Sequence, residues 1–133
     1  MLNYVSVEEA VSVIKSGDRI FGHGSACTPN LFYDELANQA HRLKDVEMVS
    51  ITQQGNVEIA KPQYKDSFYI NSLFTSAPVR DAVNSENGDF VPIFLSEIPI
   101  LFKNDILPLD VAMITVSPPV CPGCCILGTE VEI

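Results

Sequence analysis

The sequence predicts an α/β domain built on an open, mostly parallel sheet with helices on both faces. Strand-like apolar runs alternate with helix-like segments, the arrangement of βα units joined by right-handed crossovers. FVPIFL (90–95) and VAMITV (111–116) are continuous apolar runs, the form expected of strands buried on both faces. Five such runs also break abruptly into short loops: RIF into GHGSACTP, VEMVSI into TQQG, FYINSLF into TSAP, FVPIFL into SEIP and VAMITV into SPP. In an open α/β sheet these loops mark the carboxyl edge, where ligands bind.

Each element follows from local signals. Ser6 and Glu9 have capping-box spacing; Ala10, Val11 and Ile14 then share a helical face, and Gly17 reads as the C-terminal stop. A strand over 19–21 runs into Gly22 and Gly24, which permit a sharp turn. Thr28 and Pro29 suit the N-cap and first turn of a helix whose stripe is Leu31, Phe32, Leu36, Ala40 and Leu43. Strands are expected over 45–51 and 68–74, separated by a polar connection over 61–66. Ser76 and Pro78 open a short helix ending near Ser85, and a helix over 98–102 precedes the turn-forming ILPLD. There is no internal repeat, low-complexity tract or linker, so residues 1–133 read as one domain. ILGTEVEI at the end reads as a strand just under way.

Composition excludes several function classes. The chain has 133 residues, 47% hydrophobic and 19% charged, which is the profile of a globular domain. Eight basic and 17 acidic residues give a net charge of −9. That balance lacks the basic footprint that nucleic acid requires, and an anionic membrane surface would repel it. No apolar run approaches the ~20 residues of a membrane span, and MLNYVSVEEAV lacks the form of a signal peptide, which points to the cytoplasm.

The loops are rich in backbone N–H groups and small hydroxyls and poor in Lys, Arg and His. They suit an anionic or carbonyl-bearing small molecule held by dipoles. In GHGSACTP, Cys27 occupies the third glycine position of the dinucleotide fingerprint and no P-loop lysine follows, which argues against a nucleotide site. The loop still leads into a helix start, where N–H groups, Ser25 and Thr28 would favour negative charge. His23 in this loop is a weak acid–base candidate, and His41 reads as solvent-facing. Cys121, Cys124 and Cys125 form C-P-G-C-C, with Cys27 apart. The motif does not open a helix, as a thioredoxin-like pair would, and no second ligand pair supports zinc. Ordinary thiols are the expectation, with no metal. Glu97 is the acid best placed to face a ligand, although a first-turn carboxylate is also favoured by the helix dipole.

The tract DFVPIFLSEIPILFKNDILPLDVAMITVSPP, with EEAVSVIKSGDRIF before the glycine loop, LKDVEMVSI and PVRDAV in order, resembles the acetyl-CoA hydrolase/transferase family. Within it, the chain is most similar to the 4-hydroxybutyrate and butyrate–acetate CoA-transferase branch. The resemblance implies a CoA-transferase fold of two similar α/β halves, with this chain as the amino-terminal half. It implies transfer of CoA between short-chain carboxylic acids by a ping-pong route, in which a glutamate forms a glutamyl-CoA thioester. That glutamate lies in the carboxyl-terminal half, so no catalytic residue is assigned here and Glu97 is not given that role.

The family pattern carries over as the wall of an acyl pocket: Gly22, Gly24, Ser25 and Ala26; Gln54 and Gly55; Ser96, Glu97 and Pro99; Ser117, Pro118 and Pro119. No cofactor is expected to stay bound, coenzyme A being a substrate. Acyl-CoA, short carboxylic acids and the carboxyl-terminal half are the expected partners. An uncovered sheet surface would make the isolated domain a homo-oligomer or prone to aggregate, and without the half that carries the glutamate it is expected to be inactive alone. Two departures bear on acyl specificity: Val120 to Cys124 replace the acidic residue and His-Gly-Tyr-type tract that usually follow SPP, and Pro78 stands where many members have Asn. Rival readings are a non-catalytic acyl-binding or interaction module, and a thiol oxidoreductase using Cys121 and Cys124.

Overall fold

A computed structural model describes residues 4–130. The elements, in order, are α1 (Val7–Val11), β1 (Arg19–Gly22), α2 (Asn30–Asn38), β2 (Val46–Ser50), β3 (Phe68–Ser72), α3 (Arg80–Val83), β4 (Gly88–Phe90), α4 (Ile98–Lys103) and β5 (Val111–Met113). Short 3-10 turns punctuate the connections, including Glu58–Ala60 and Pro62–Tyr64 in the stretch read as a polar connection.

The strands form one sheet of order β4-β3-β2-β1-β5, and every pairing is parallel. From β1 to β4 the chain steps steadily to one side; it then returns past β1 to lay down β5. Right-handed crossovers place connections on one face for the first direction and on the other for the return. The packing agrees. Ile20, Met48 and Ile70 meet Leu36, Val79 and Ala82 in the larger core, whereas Phe21, Val49 and Leu73 meet Ile98 in the smaller one. Phe21 and Phe102 stack edge-on at 5.8 Å.

Several expectations need correction. The helix begun by Ser6, whose side chain accepts from Glu9 N–H at 3.1 Å, ends at Ser12 rather than at Gly17. Carbonyls just beyond it are taken by the Arg42 guanidinium, which donates to Val11 O (3.0 Å) and Ile14 O (2.6 Å). Gly17 instead makes a left-handed turn into β1 (φ +83°). The buried stripe of α2 is Tyr33, Leu36 and Ala37, with Leu31 facing out.

FVPIFL and VAMITV are not doubly buried strands. Both contribute short edge strands, because Pro92 cannot donate to a ladder and β5 has a neighbour on one side alone. Phe94 is accordingly 77% exposed and Val116 45%. The terminal ILGTE forms no strand over its described residues, and 131–133 lie outside them.

Candidate functional site

The strand order reverses between β1 and β5, and open α/β sheets place ligands in the crevice at such a point, beyond the carboxyl ends of the strands. The glycine loop after β1 and the loop after β5 flank it. His23 binds them together. Its backbone N–H donates to Met113 O (3.0 Å), and its Nδ1 accepts the N–H of Thr115 (3.3 Å). That leaves the proton on Nε2, which donates to Glu130 O at 3.2 Å. With both nitrogens engaged and the residue 3% exposed, His23 is a structural pin rather than an acid or base.

The glycine loop turns at Ser25, not at a glycine. Gly24 is extended (φ −105°), whereas Ser25 adopts the left-handed conformation (φ 48°). Two contacts to Thr52 hold Ser25 there: its N–H donates to Thr52 O (2.8 Å), and the hydroxyls meet at 2.7 Å. Gly22 is needed for close approach, since a Cβ on it would fall on the Tyr33 phenol. Thr28 is not an N-cap; Pro29 holds that position before α2. The Thr28 hydroxyl donates to Ser25 O (2.7 Å) and accepts Gln54 N–H (3.0 Å), lacing the loop to the next one. The amides of His23, Ser25, Cys27 and Thr28 all donate within the protein, to Met113, Thr52, Gly24 and Ser25 carbonyls, so these four are engaged in shaping the loop.

The Gln54–Gly55 turn rests on α2: Asn30 Nδ2 donates to Gln54 O at 3.1 Å, and Gly55 is left-handed (φ +78°) against that side chain. Buried Gln53 accepts from the Tyr33 hydroxyl (2.7 Å) and donates to Gly22 O (3.1 Å). In the SEIP loop, Ser96 and Glu97 are exposed; the Glu97 carboxylate turns back to accept Phe94 N–H at 3.4 Å, the first-turn role. Ser117 is tied to Ile126 by two hydrogen bonds, its N–H to Ile126 O (2.8 Å) and Ile126 N–H to its Oγ (3.0 Å). Between them Gly123 (φ +81°) folds the chain so that Cys121 and Cys124 form a disulfide, with Cα atoms 5.1 Å apart. These two are thus not ordinary thiols; Cys27 is free and buried, and Cys125 free and exposed. Among the described residues no cluster of His, Cys, Asp and Glu could hold a metal.

A cavity of about 270 Å³ opens on this edge, lined by Ile51, Thr52, Phe74, Leu95 and Glu130. Ile51, Thr52 and Phe74 stand just past the carboxyl ends of β2 and β3, and Leu95 opens the 3-10 turn that follows β4. None of the residues expected from sequence is among those lining it; Ser25 reaches it through its hydroxyl contact with Thr52. Thr52, Phe74 and Leu95 lie outside the expected Gly, Ser and Pro loop positions; for Thr52 and Phe74, their place at or just after the end of an apolar run was the available signal. Three groups are perturbed: burial, then Asp89 and Glu47, push the Tyr69 phenol up, the Lys61 hydrogen bond, with Asn56, holds Glu58 down, and hydrogen bonds from Gln39 and Asn38 hold Glu35 down.

Residues 3–133 match the model of the acetyl-CoA hydrolase/transferase N-terminal domain. The chain belongs to that family. A succinyl-CoA:acetate/propanoyl-CoA:succinate CoA transferase from Fasciola hepatica is 37% identical over 128 residues, covering 95% of this chain and 26% of the relative. The 4-hydroxybutyrate coenzyme A transferase of Clostridium kluyveri is 36% identical, over 95% of this chain and 29% of its own. The chain thus spans about a quarter of the length of the curated CoA transferases it matches. The crystal structure of RipA from Yersinia pestis superposes with a TM-score of 0.81 at 26% identity, covering 93% of this chain and 31% of that one. The expected family and the α/β fold with a parallel sheet both stand. No helix among the described residues is long and apolar enough to cross a membrane.

Proposed function

We propose that this domain forms the acyl-binding wall of a cytoplasmic CoA-transferase that moves CoA between short-chain carboxylic acids such as 4-hydroxybutyrate, butyrate and acetate. The observation that carries the reading is the cavity at the carboxyl edge of a domain that belongs to this family. The residues put forward as its wall are Gly22, Gly24, Ser25, Ala26, Gln54, Gly55, Ser96, Glu97, Pro99 and the loop Ser117, Pro118 and Pro119, with Thr52, Phe74 and Leu95 added from the geometry.

The chemistry is a ping-pong transfer. A glutamate carboxylate supplied by a carboxyl-terminal half attacks the acyl-CoA thioester carbonyl, and the thiolate of CoA leaves. CoA then displaces the acid from the resulting anhydride, giving a glutamyl-CoA thioester that the acceptor acid reopens. Splitting the transfer in this way is the benefit of covalent catalysis. The part of this domain is positioning: it fixes the acyl chain so that its carbonyl faces the nucleophile, and it keeps water from the intermediates. Coenzyme A comes and goes as a substrate.

The test is acetate-dependent exchange of CoA from butyryl-CoA, measured with the chain alone and after addition of the carboxyl-terminal portion of the C. kluyveri relative. Exchange in the mixture and none with the chain alone is the expected result. Turnover by the chain alone would overturn the assignment of the nucleophile to another segment.

A further inference from the structure

The lining of the carboxyl-edge cavity carries a statement about which acids it accepts. We infer that it takes acyl chains with a neutral, apolar distal end, of the butyryl kind, and rejects dicarboxylic acyl groups such as succinyl. This rests on the acyl-wall reading above and narrows it.

Three observations support the inference. The cavity, at about 270 Å³, falls just under the ~300–1,000 Å³ typical of pockets for drug-sized ligands, so its occupant is small. Among the described residues its lining contains no Lys, Arg or His; Ile51, Phe74 and Leu95 offer hydrocarbon, and Thr52 a hydroxyl already shared with Ser25. The charged group it does hold is the acid Glu130, in a backbone segment anchored by His23. A butyryl thioester presents a methyl group to this lining. A succinyl thioester would present a second carboxylate with no cation in the described lining to meet it and the like charge of Glu130 beside it. The guanidinium of Arg80 belongs to a neighbouring hollow, lined with Phe74, Thr75, Val83, Asn84 and Phe90. The inference separates this chain from the succinyl-CoA transferase of Fasciola despite their 37% identity.

Nuclear magnetic resonance of the labelled 133-residue chain tests it, with CoA, butyryl-CoA and succinyl-CoA titrated separately. Butyryl-CoA is expected to shift the signals of Ile51, Thr52, Phe74 and Leu95, whereas CoA alone leaves them in place. Succinyl-CoA should need about tenfold higher concentration for the same shifts, given the like charge of Glu130 and no cation to pair with it. Leu95 is 57% exposed, so Leu95→Arg is compatible with folding, and it should reverse the preference by supplying the missing cation. Equal response to the two acyl-CoAs in the unaltered chain would overturn the specificity and leave the acyl-wall reading intact. No response of the four residues to either acyl-CoA would overturn the pocket assignment itself, and the exchange assay decides the family reaction independently.

Discussion

A Cβ built on Gly22 would lie 1.8 Å from the phenol oxygen of Tyr33. The two residues belong to β1 and α2, and their contact sets how closely α2 sits on the sheet. The phenol is held there by Gln53, which also donates to Gly22 O, so strand end, helix and the loop after β2 are joined at one point. Gly22→Ala should therefore cost about 3 kcal/mol or more, by forcing the helix or the tyrosine out of a packed interior. Urea unfolding measures it. Adding Tyr33→Phe should recover part of the loss, because the oxygen of the clash is removed while the ring carbon at 3.0 Å remains.

His23 joins the loop after β1 to the loop after β5 through Thr115. Its replacement by Ala removes two side-chain hydrogen bonds and leaves the Thr115 N–H and the Glu130 carbonyl without them. The expected loss is about 2–3 kcal/mol. Hydrogen exchange locates it: the Thr115 amide should lose protection in His23→Ala, while the amides of β2 and β3 exchange only with the global loss of stability.

Tyr69 sits on the second face of the sheet, where burial and then the charges of Asp89 and Glu47 disfavour the phenolate. Its folded-state value lies above the ordinary phenol value of about 10. The sign follows from linkage: the contribution to stability is fully present below the unfolded value and is lost as pH rises from it through the folded one. Ultraviolet titration of tyrosinate should show a late-ionising component that disappears in Tyr69→Phe and moves down in Asp89→Asn.

The region from β4 to α4 exposes Phe90, Phe94, Leu95 and Ile100, with Phe94 reaching 77%. Exposed apolar side chains concentrated in one region favour association. Light scattering of the isolated domain should report an average mass that rises with concentration. Phe94→Ser together with Ile100→Ser should reduce that rise, and a strictly monomeric profile for the unaltered chain would contradict the prediction.

Much of the architecture was legible because the chain announces strand ends with polar loops. RIF and VEMVS feed both cores, FYINS alternates buried Phe68 and Ile70 with outward positions, and the capping spacing of Ser6 and Glu9 marks α1. What misled was local apolar content read without position in the sheet. FVPIFL looks like a central strand, yet Pro92 and an edge position limit it to Gly88–Phe90. Gly17 looks like a helix stop, yet Arg42, distant in sequence, completes the helix end.

The site was legible as a location more than as a lining. The loop residues chosen for polarity hold the edge in shape: Ser25 takes the left-handed turn, Gln54 and Gly55 rest on Asn30, and Glu97 caps its own turn. The cavity is bounded instead by Thr52, Phe74 and Leu95, whose proximity depends on the β2, β3 and β4 ends lying side by side. No spacing within the sequence encodes that. The Cys121–Cys124 bond was similarly out of reach, since it depends on the turn at Gly123 and on Ser117 pairing with Ile126.

The division of labour in this account, a shaped wall here and the reacting carboxylate elsewhere, meets its most direct test in intact-mass spectrometry of the chain after incubation with butyryl-CoA. The account predicts an unchanged mass. A stable gain corresponding to CoA, mapped by fragmentation to a carboxylate of this chain, would contradict it.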